Sequence, residues 1–222
     1  CTWALRCLLV IDGDRKILID TGMGNKQDTK FFSHYQPSHS VTLSDALSKL
    51  NLQVNDITDV LLTHLHFDHV GGAIEMQADQ LKTVFPNATY WVSEPQWELA
   101  LNPNKREKAS FLKENILPIE ASGQLSLIDT PESHFTENGL LHSASFANNI
   151  DIRFVHGHTE KMMLPQIHYK GHTIVYMADL LPSIGHLPLP YVMSYDMFPL
   201  TTLHEKKSFL QEAFENQYVL FF

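Results

Sequence analysis

Between positions 63 and 69 the chain reads Thr63-His64-Leu65-His66-Phe67-Asp68-His69, three imidazoles and a carboxylate packed into a single short run. An apolar, β-branched stretch at 57–62 precedes it and Val70-Gly71-Gly72 follows, so the run reads as a loop at the end of a buried strand. On extended backbone, residues two apart point the same way, which turns His64, His66 and Asp68 toward a common side. A turn at Asp68-His69 swings that pair toward a second centre. A lone histidine is usually a hydrogen-bonding core or surface residue, but H-x-H-x-D-H spacing is the chemistry of a divalent-metal site. Thiolates are absent from the cluster, which argues against a structural cysteine-type site.

The rest of the chain alternates strand-like and helix-like segments, and α/β is the expected class. Strands are expected at 5–10 and 16–19 around an Asp12-Gly13-Asp14 turn, and at 57–62, 88–92, 125–128, 150–155, 172–178 and 218–222. Helices are expected at 42–52 with Thr42 or Ser44 as cap, at 94–101, at 105–115 on the surface, and at 203–217. A proline-containing loop is expected over 181–200. No repeat of fixed period appears, and one domain is the simplest organisation.

Composition narrows the partners. Asp and Glu number 25 against 16 Lys and Arg, a net charge of −9, and no basic run is present. Nucleic acid, which selects clustered Lys and Arg, is therefore not an expected partner. No stretch of about 18 apolar residues is present, so no membrane span is expected. Cys1 and Cys7 would lie about 20 Å apart on extended chain, too far for a disulfide, and a reduced cytoplasmic setting is the default. Because the chain opens on Cys1, trimming is expected, with a periplasmic or lipid-anchored form as the alternative.

The run at 63–69, continued by Val70-Gly71-Gly72, resembles the defining motif of the metallo-β-lactamase-fold superfamily. Three further segments resemble that family in the expected chain order. Ile17-Leu18-Ile19-Asp20-Thr21-Gly22 is similar to its early strand, whose Asp supports the site from behind the ligating histidines. Val155-His156-Gly157-His158-Thr159 is similar to the segment that supplies the third histidine, here His158. Tyr176-Met177-Ala178-Asp179 is similar to the strand end that supplies the bridging carboxylate, here Asp179. The remaining histidines, at 34, 39, 134, 142, 156, 168, 172 and 204, are read as structural or exposed.

The resemblance implies an α/β fold of the metallo-β-lactamase αββα type: two mixed β-sheets flanked by helices, in a single domain over 1–222 expected to lack its extreme N- and C-terminal segments. It implies two divalent ions, zinc first with manganese or iron as alternatives. One would be held by His64, His66 and His158. The other would be held by Asp68, His69 and Asp179, with Asp179 shared and Asp20 behind. The family usually adds a final histidine after a strand near the C-terminus, and the sequence ends at Phe222 without it; His186 is the nearest substitute by position.

The implied activity is hydrolysis of a small ester-like substrate, whether a lactone, an ester, a β-lactam or a phosphotriester. Divalent ions supply it by lowering the pKa of water from about 15.7 to near 7. Asp68 and Asp179 carry the catalytic expectation, and His186, Tyr191 and Tyr195 are candidate pocket residues. Phe31, Phe32 and Tyr35 form either an aromatic pocket wall or ordinary core. The alternatives are a thioester hydrolase of the glyoxalase II kind, a sulfur dioxygenase, or a degenerate metal-binding member without turnover. A small molecule is the expected partner, and a homodimer the expected assembly.

Overall fold

The β-hairpin that opens the structure shows why the first apolar runs become strands. β1 (Leu8–Asp12) pairs antiparallel with β2 (Arg15–Ile19), from Leu8↔Ile19 to Asp12↔Arg15. Gly13 turns the chain at φ +60°, a left-handed conformation that glycine enters without a Cβ penalty. The computed structural model describes residues 3–38, 41–130 and 143–222. Cys1 and the histidines at 39, 134 and 142 lie outside the described residues.

By contacts the chain resolves into two compact units, 1–92 with 108–126, and 93–107 with 127–222. In the first, a five-stranded sheet runs in the order β1-β2-β3-β6-β7, with β3 at Asp59–Leu61, β6 at Thr89–Ser93 and β7 at Leu125–Ile128. The pairs β2–β3 and β3–β6 are parallel. Ile17, Leu18, Ile19, Val60 and Leu61 are all buried, as the unbroken apolar runs require of strands covered on both faces. Parallel neighbours end at the same edge, so Asp20 after β2 and His64 after β3 emerge side by side. The bond from Asp20 N–H to the Leu61 carbonyl (3.0 Å) extends their ladder by one step.

Helix α1 (Thr29–Tyr35) buries none of its residues, and α2 (Leu43–Ser48) is capped by Thr42 in a reciprocal pair with Asp45. The one-turn helix α3 (Phe67–Val70) takes in the end of the histidine run. A small hairpin of β4 (Ile74–Gln77) and β5 (Gln80–Thr83) has no counterpart in the sequence reading. Its turn residues, Ala78 and Asp79, both take positive φ without the Asn-Gly or Gly signal that normally announces such a turn.

The second unit contains α4 (Glu94–Leu101), as expected from sequence. The helix expected at 105–115 is not formed. Asn104 Oδ1 accepts the backbone N–H groups of both Arg106 and Glu107, a local bond that competes with helix, and the helix nearby is instead α5 (Lys113–Ala121) of the first unit.

The second sheet runs β12-β11-β10-β9-β8. β8 (Ser143–Ala147), β9 (Ile150–Val155), β10 (Met162–Tyr169) and β11 (His172–Tyr176) form an antiparallel meander. Helix α6 (Pro199–Glu215) then returns the chain so that β12 (Val219–Phe221) lies parallel to β11. β10 is not among the strands expected from sequence; its Pro165 pairs with Ile152 of β9 just where the ladder to β11 stops, at Gln166↔Val175.

Candidate functional site

In the first unit the histidine run leaves β3 as buried extended chain and turns into α3 at His66, which stands at its N-terminal cap. The rings of His64 and His66 have centroids 4.6 Å apart, and those of His64 and His69 4.0 Å. All three are buried. Sequence proximity alone does not gather them; the turn at Phe67–Val70 brings His69 back beside His64.

A single carboxylate organises this group from behind. Asp20 Oδ2 accepts His69 Nδ1–H at 2.7 Å and the Thr63 hydroxyl at 2.8 Å, while Oδ1 accepts the Thr63 backbone N–H at 2.8 Å. The Thr63 oxygen, its own proton given to Asp20, lies 3.1 Å from His64 Nδ1 and accepts from it. Asp20 therefore fixes His69 directly and His64 through Thr63. In both rings the proton sits on Nδ1 and the lone pair is left on Nε2. His69 Nε2 faces Asp68, whose Oδ2 is 3.8 Å away and whose side chain remains 30% exposed.

Gly71 and Gly72 explain how the early loop reaches this position. A Cβ on Gly72 would fall 2.1 Å from the Thr21 carbonyl oxygen, and one on Gly71 2.1 Å from that of Met23. Side chains at either position would push the 21–24 segment, and Asp20 with it, off the histidines.

The second unit repeats the arrangement with different elements. His158 lies in the loop between β9 and β10, and Asp179 just beyond β11. His158 Nδ1–H donates to Asp196 Oδ1 at 2.9 Å, and its Nε2 faces Asp179 Oδ2 at 3.2 Å. His158 and Asp196 are both 1% exposed, Asp179 rather more at 13% by side chain. The Tyr195 ring meets the His158 ring edge-on at 5.8 Å, while the tyrosine as a whole is 55% exposed. His156, two residues away, differs: burial and the nearby Lys161 charge pull its imidazole down to about 4, keeping it neutral.

The other sequence candidates are placed as follows. His186 closes a 3-10 turn (Ile184–His186) with its Nδ1 2.9 Å from Ser183 Oγ. Tyr191 is 60% exposed, and its carbonyl accepts the Lys206 ammonium. Phe31 and Tyr35 of α1 are not core; both rings pack on Phe67, at 5.2 and 4.9 Å. The Tyr35 hydroxyl is held above its ordinary pKa by burial and by the Asp68 carboxylate.

Sequence reasoning missed Thr63 as a relay and Asp196 altogether. Asp196 stands in the irregular proline-containing loop, 17 positions after Asp179, with no motif around it.

The donor set fits divalent metal: imidazoles with Nδ1 occupied by an oxygen and Nε2 turned to a more exposed carboxylate. The profile of the metallo-beta-lactamase superfamily matches residues 6–216. The chain belongs to the metallo-beta-lactamase superfamily.

A probable metallo-hydrolase of Methanocaldococcus jannaschii is 38% identical over 77 residues, 35% of this chain and 32% of that relative. The match thus spans about a third of its length. Among solved structures, a probable metal-dependent hydrolase from Staphylococcus aureus superposes with a TM-score of 0.85 at 25% identity, covering 97% of this chain and 72% of that one. AidC, described as a dizinc quorum-quenching lactonase in complex with a product, gives 0.73 at 23% identity, covering 97% and 70%. These likenesses bear out the metallo-β-lactamase α/β fold class. No helix among the described residues is long and apolar enough to cross a membrane.

Proposed function

We propose that the protein is a hydrolase of small ester-like substrates, with lactones foremost, working through two divalent ions of which zinc is the first choice. In this reading His64, His66 and His158 hold one ion, and Asp68, His69 and Asp179 the other, with Asp179 shared. The observation that carries it is the tautomer control in both units. Asp20 and Asp196 occupy the Nδ1 positions of His69 and His158, and Thr63 that of His64, leaving Nε2 as ligand atom in each. The joint assignment of ligands from the two units is supported by the order and spacing of the family motifs.

Bound divalent ions supply acidified water at neutral pH and polarise a carbonyl oxygen. Asp68, 30% exposed by side chain beside His69, would orient a water so supplied and accept its proton, and Asp179 would serve both ions.

The lactone preference is supported by the lactonases among the structural relatives and by the apolar surface beside the carboxylates. Phe31, Tyr35 and Phe67 form an aromatic face next to Asp68, and Tyr195 stands against His158.

Metal analysis together with a panel of lactones, aryl esters, phosphotriesters and β-lactams tests the proposal. The expected result is two equivalents of zinc, turnover highest on lactones, and loss of both one metal and at least a thousandfold in rate in Asp179→Ala. Unchanged turnover in that variant would remove Asp179 from the centre. Absence of ester-type turnover from the zinc-loaded protein would remove the hydrolase reading.

A further inference from the structure

The loop that carries His158 is held by helix α6. A Cβ on Gly157 would fall 2.2 Å from Thr202 Oγ1 and 2.3 Å from Thr202 N, so the loop backbone lies directly on the helix's first turns. The backbone N–H groups of Phe198 and Met197 donate to the carbonyls of Gly157 (2.8 Å) and His158 (3.1 Å).

Two successive helix residues then reach out from the interior. Glu205, 2% exposed, accepts the backbone N–H of His156 at 2.7 Å on one oxygen and that of Gly157 at 3.0 Å on the other. Lys206, fully buried, donates to the carbonyls of Pro188, Leu189 and Tyr191 at 2.6, 3.3 and 3.0 Å. An ammonium has three protons, and here each has a carbonyl.

Buried charges are costly unless hydrogen-bonded, and both of these are bonded to backbone groups of the flanking loops. What these two add is geometry. Glu205 grips two consecutive peptide N–H groups and thereby sets the peptide planes leading into His158. Lys206 grips the segment that runs on to Asp196, the acceptor of His158 Nδ1–H. Arg106 reinforces that segment, with its Nη2 donating to the carbonyls of Ser194 (2.9 Å) and Asp196 (3.1 Å).

We propose that Glu205 and Lys206 are positioning residues for His158, one holding the backbone that presents the ring and the other the loop that presents its carboxylate. The inference rests on the reading of His158 as a metal ligand.

The test measures zinc affinity by chelator competition and, in the zinc-loaded protein, the ring N–H resonances of His158 and His69. The parent is measured first. A parent that binds no zinc overturns the ligand assignment itself, whatever the variants do. With zinc bound in the parent, Glu205→Gln, which puts an amide donor against a backbone N–H, is expected to weaken zinc binding about 5-fold, less than the tenfold or more that losing a ligand's direct hydrogen-bond partner costs. The His158 Nδ1–H resonance moves and that of His69 stays.

Lys206→Met is expected to give the same selective change at smaller size, and Lys206→Arg, which keeps donors at the site, to recover zinc affinity toward the parent's. Zinc affinity within twofold of the parent and an unmoved His158 resonance in both Glu205→Gln and Lys206→Met would overturn the proposal. So would equal movement of the His69 and His158 resonances alongside a lowered melting temperature of the metal-free protein, which is the mark of general destabilisation. If Glu205→Gln does not fold, the Lys206 pair decides the matter by the same two readouts.

Discussion

The two units solve one problem, the orientation of buried histidines, by two routes. In the first unit, a carboxylate at the end of one parallel strand meets histidines at the end of the next, and Asp20 uses both oxygens on Thr63 and His69. In the second, the carboxylate comes from an irregular loop, and Asp196 takes His158 on Oδ1 while its buried Oδ2 has no hydrogen-bond partner among the described residues. One acceptor is fixed by a sheet edge, the other by helix and loop. The first route is stiff and local, whereas the second depends on distant residues holding a segment in place.

That difference predicts an order of effects. Asp20→Ala strands three buried donors, and at about 1–3 kcal/mol per unsatisfied group the metal-free protein should lose several kcal/mol, read by denaturant unfolding. Zinc affinity should fall at least a hundredfold in the same variant. A loss below 1 kcal/mol would break the claim that Asp20 organises this half.

Next come the glycine contacts, one in each unit. Gly72→Ala and Gly157→Ala place a methyl carbon 2.1 Å from the Thr21 oxygen and 2.2 Å from Thr202 Oγ1. Each is expected to cost about 1–3 kcal/mol by overpacking. Gly157→Ala should also weaken zinc more per unit of stability lost, because its loop carries the ligand itself. Equal ratios of the two effects would erase the contrast between the units.

Asp196→Asn removes the charged acceptor behind one histidine and should weaken zinc about tenfold, with little change in metal-free stability. The smallest effect belongs to Tyr195→Phe. The ring edge against His158 is kept, so zinc affinity should stay within twofold, and any change should fall on the KM of an apolar lactone.

The same contrast governs what could be read from the amino-acid order. His64, His66, Asp68 and His69 announce themselves because their ligand atoms come from one short run, and Asp20 because the segment holding it resembles the family's early strand. α4 and the strand at 150–155 were legible from apolar pattern and length alone. Asp196 was not, since a single Asp in a loop carries no periodicity, and only the tertiary fold puts it against His158.

Local rules also misdirected. Pro165 lies inside a strand absent from the sequence expectations, and the strand accommodates it because the proline sits where one ladder ends. Pro199 falls in the stretch expected to be a loop, yet it opens α6, where a first-turn proline lacks only an N–H that the helix does not use. The β4–β5 hairpin turns on Ala78-Asp79, residues that tertiary packing forces into positive φ and that no turn rule flags.

The central claim is that carboxylates and a hydroxyl hold the protons of His64, His69 and His158 on Nδ1 so that Nε2 binds metal. Long-range 1H–15N correlation spectra of the histidine rings, recorded before and after zinc addition, test it most directly. Nδ1–H tautomers are expected for all three, with a large shift of their Nε2 signals on zinc binding. A proton on Nε2 in the zinc-loaded protein, or Nε2 signals indifferent to zinc, would contradict it.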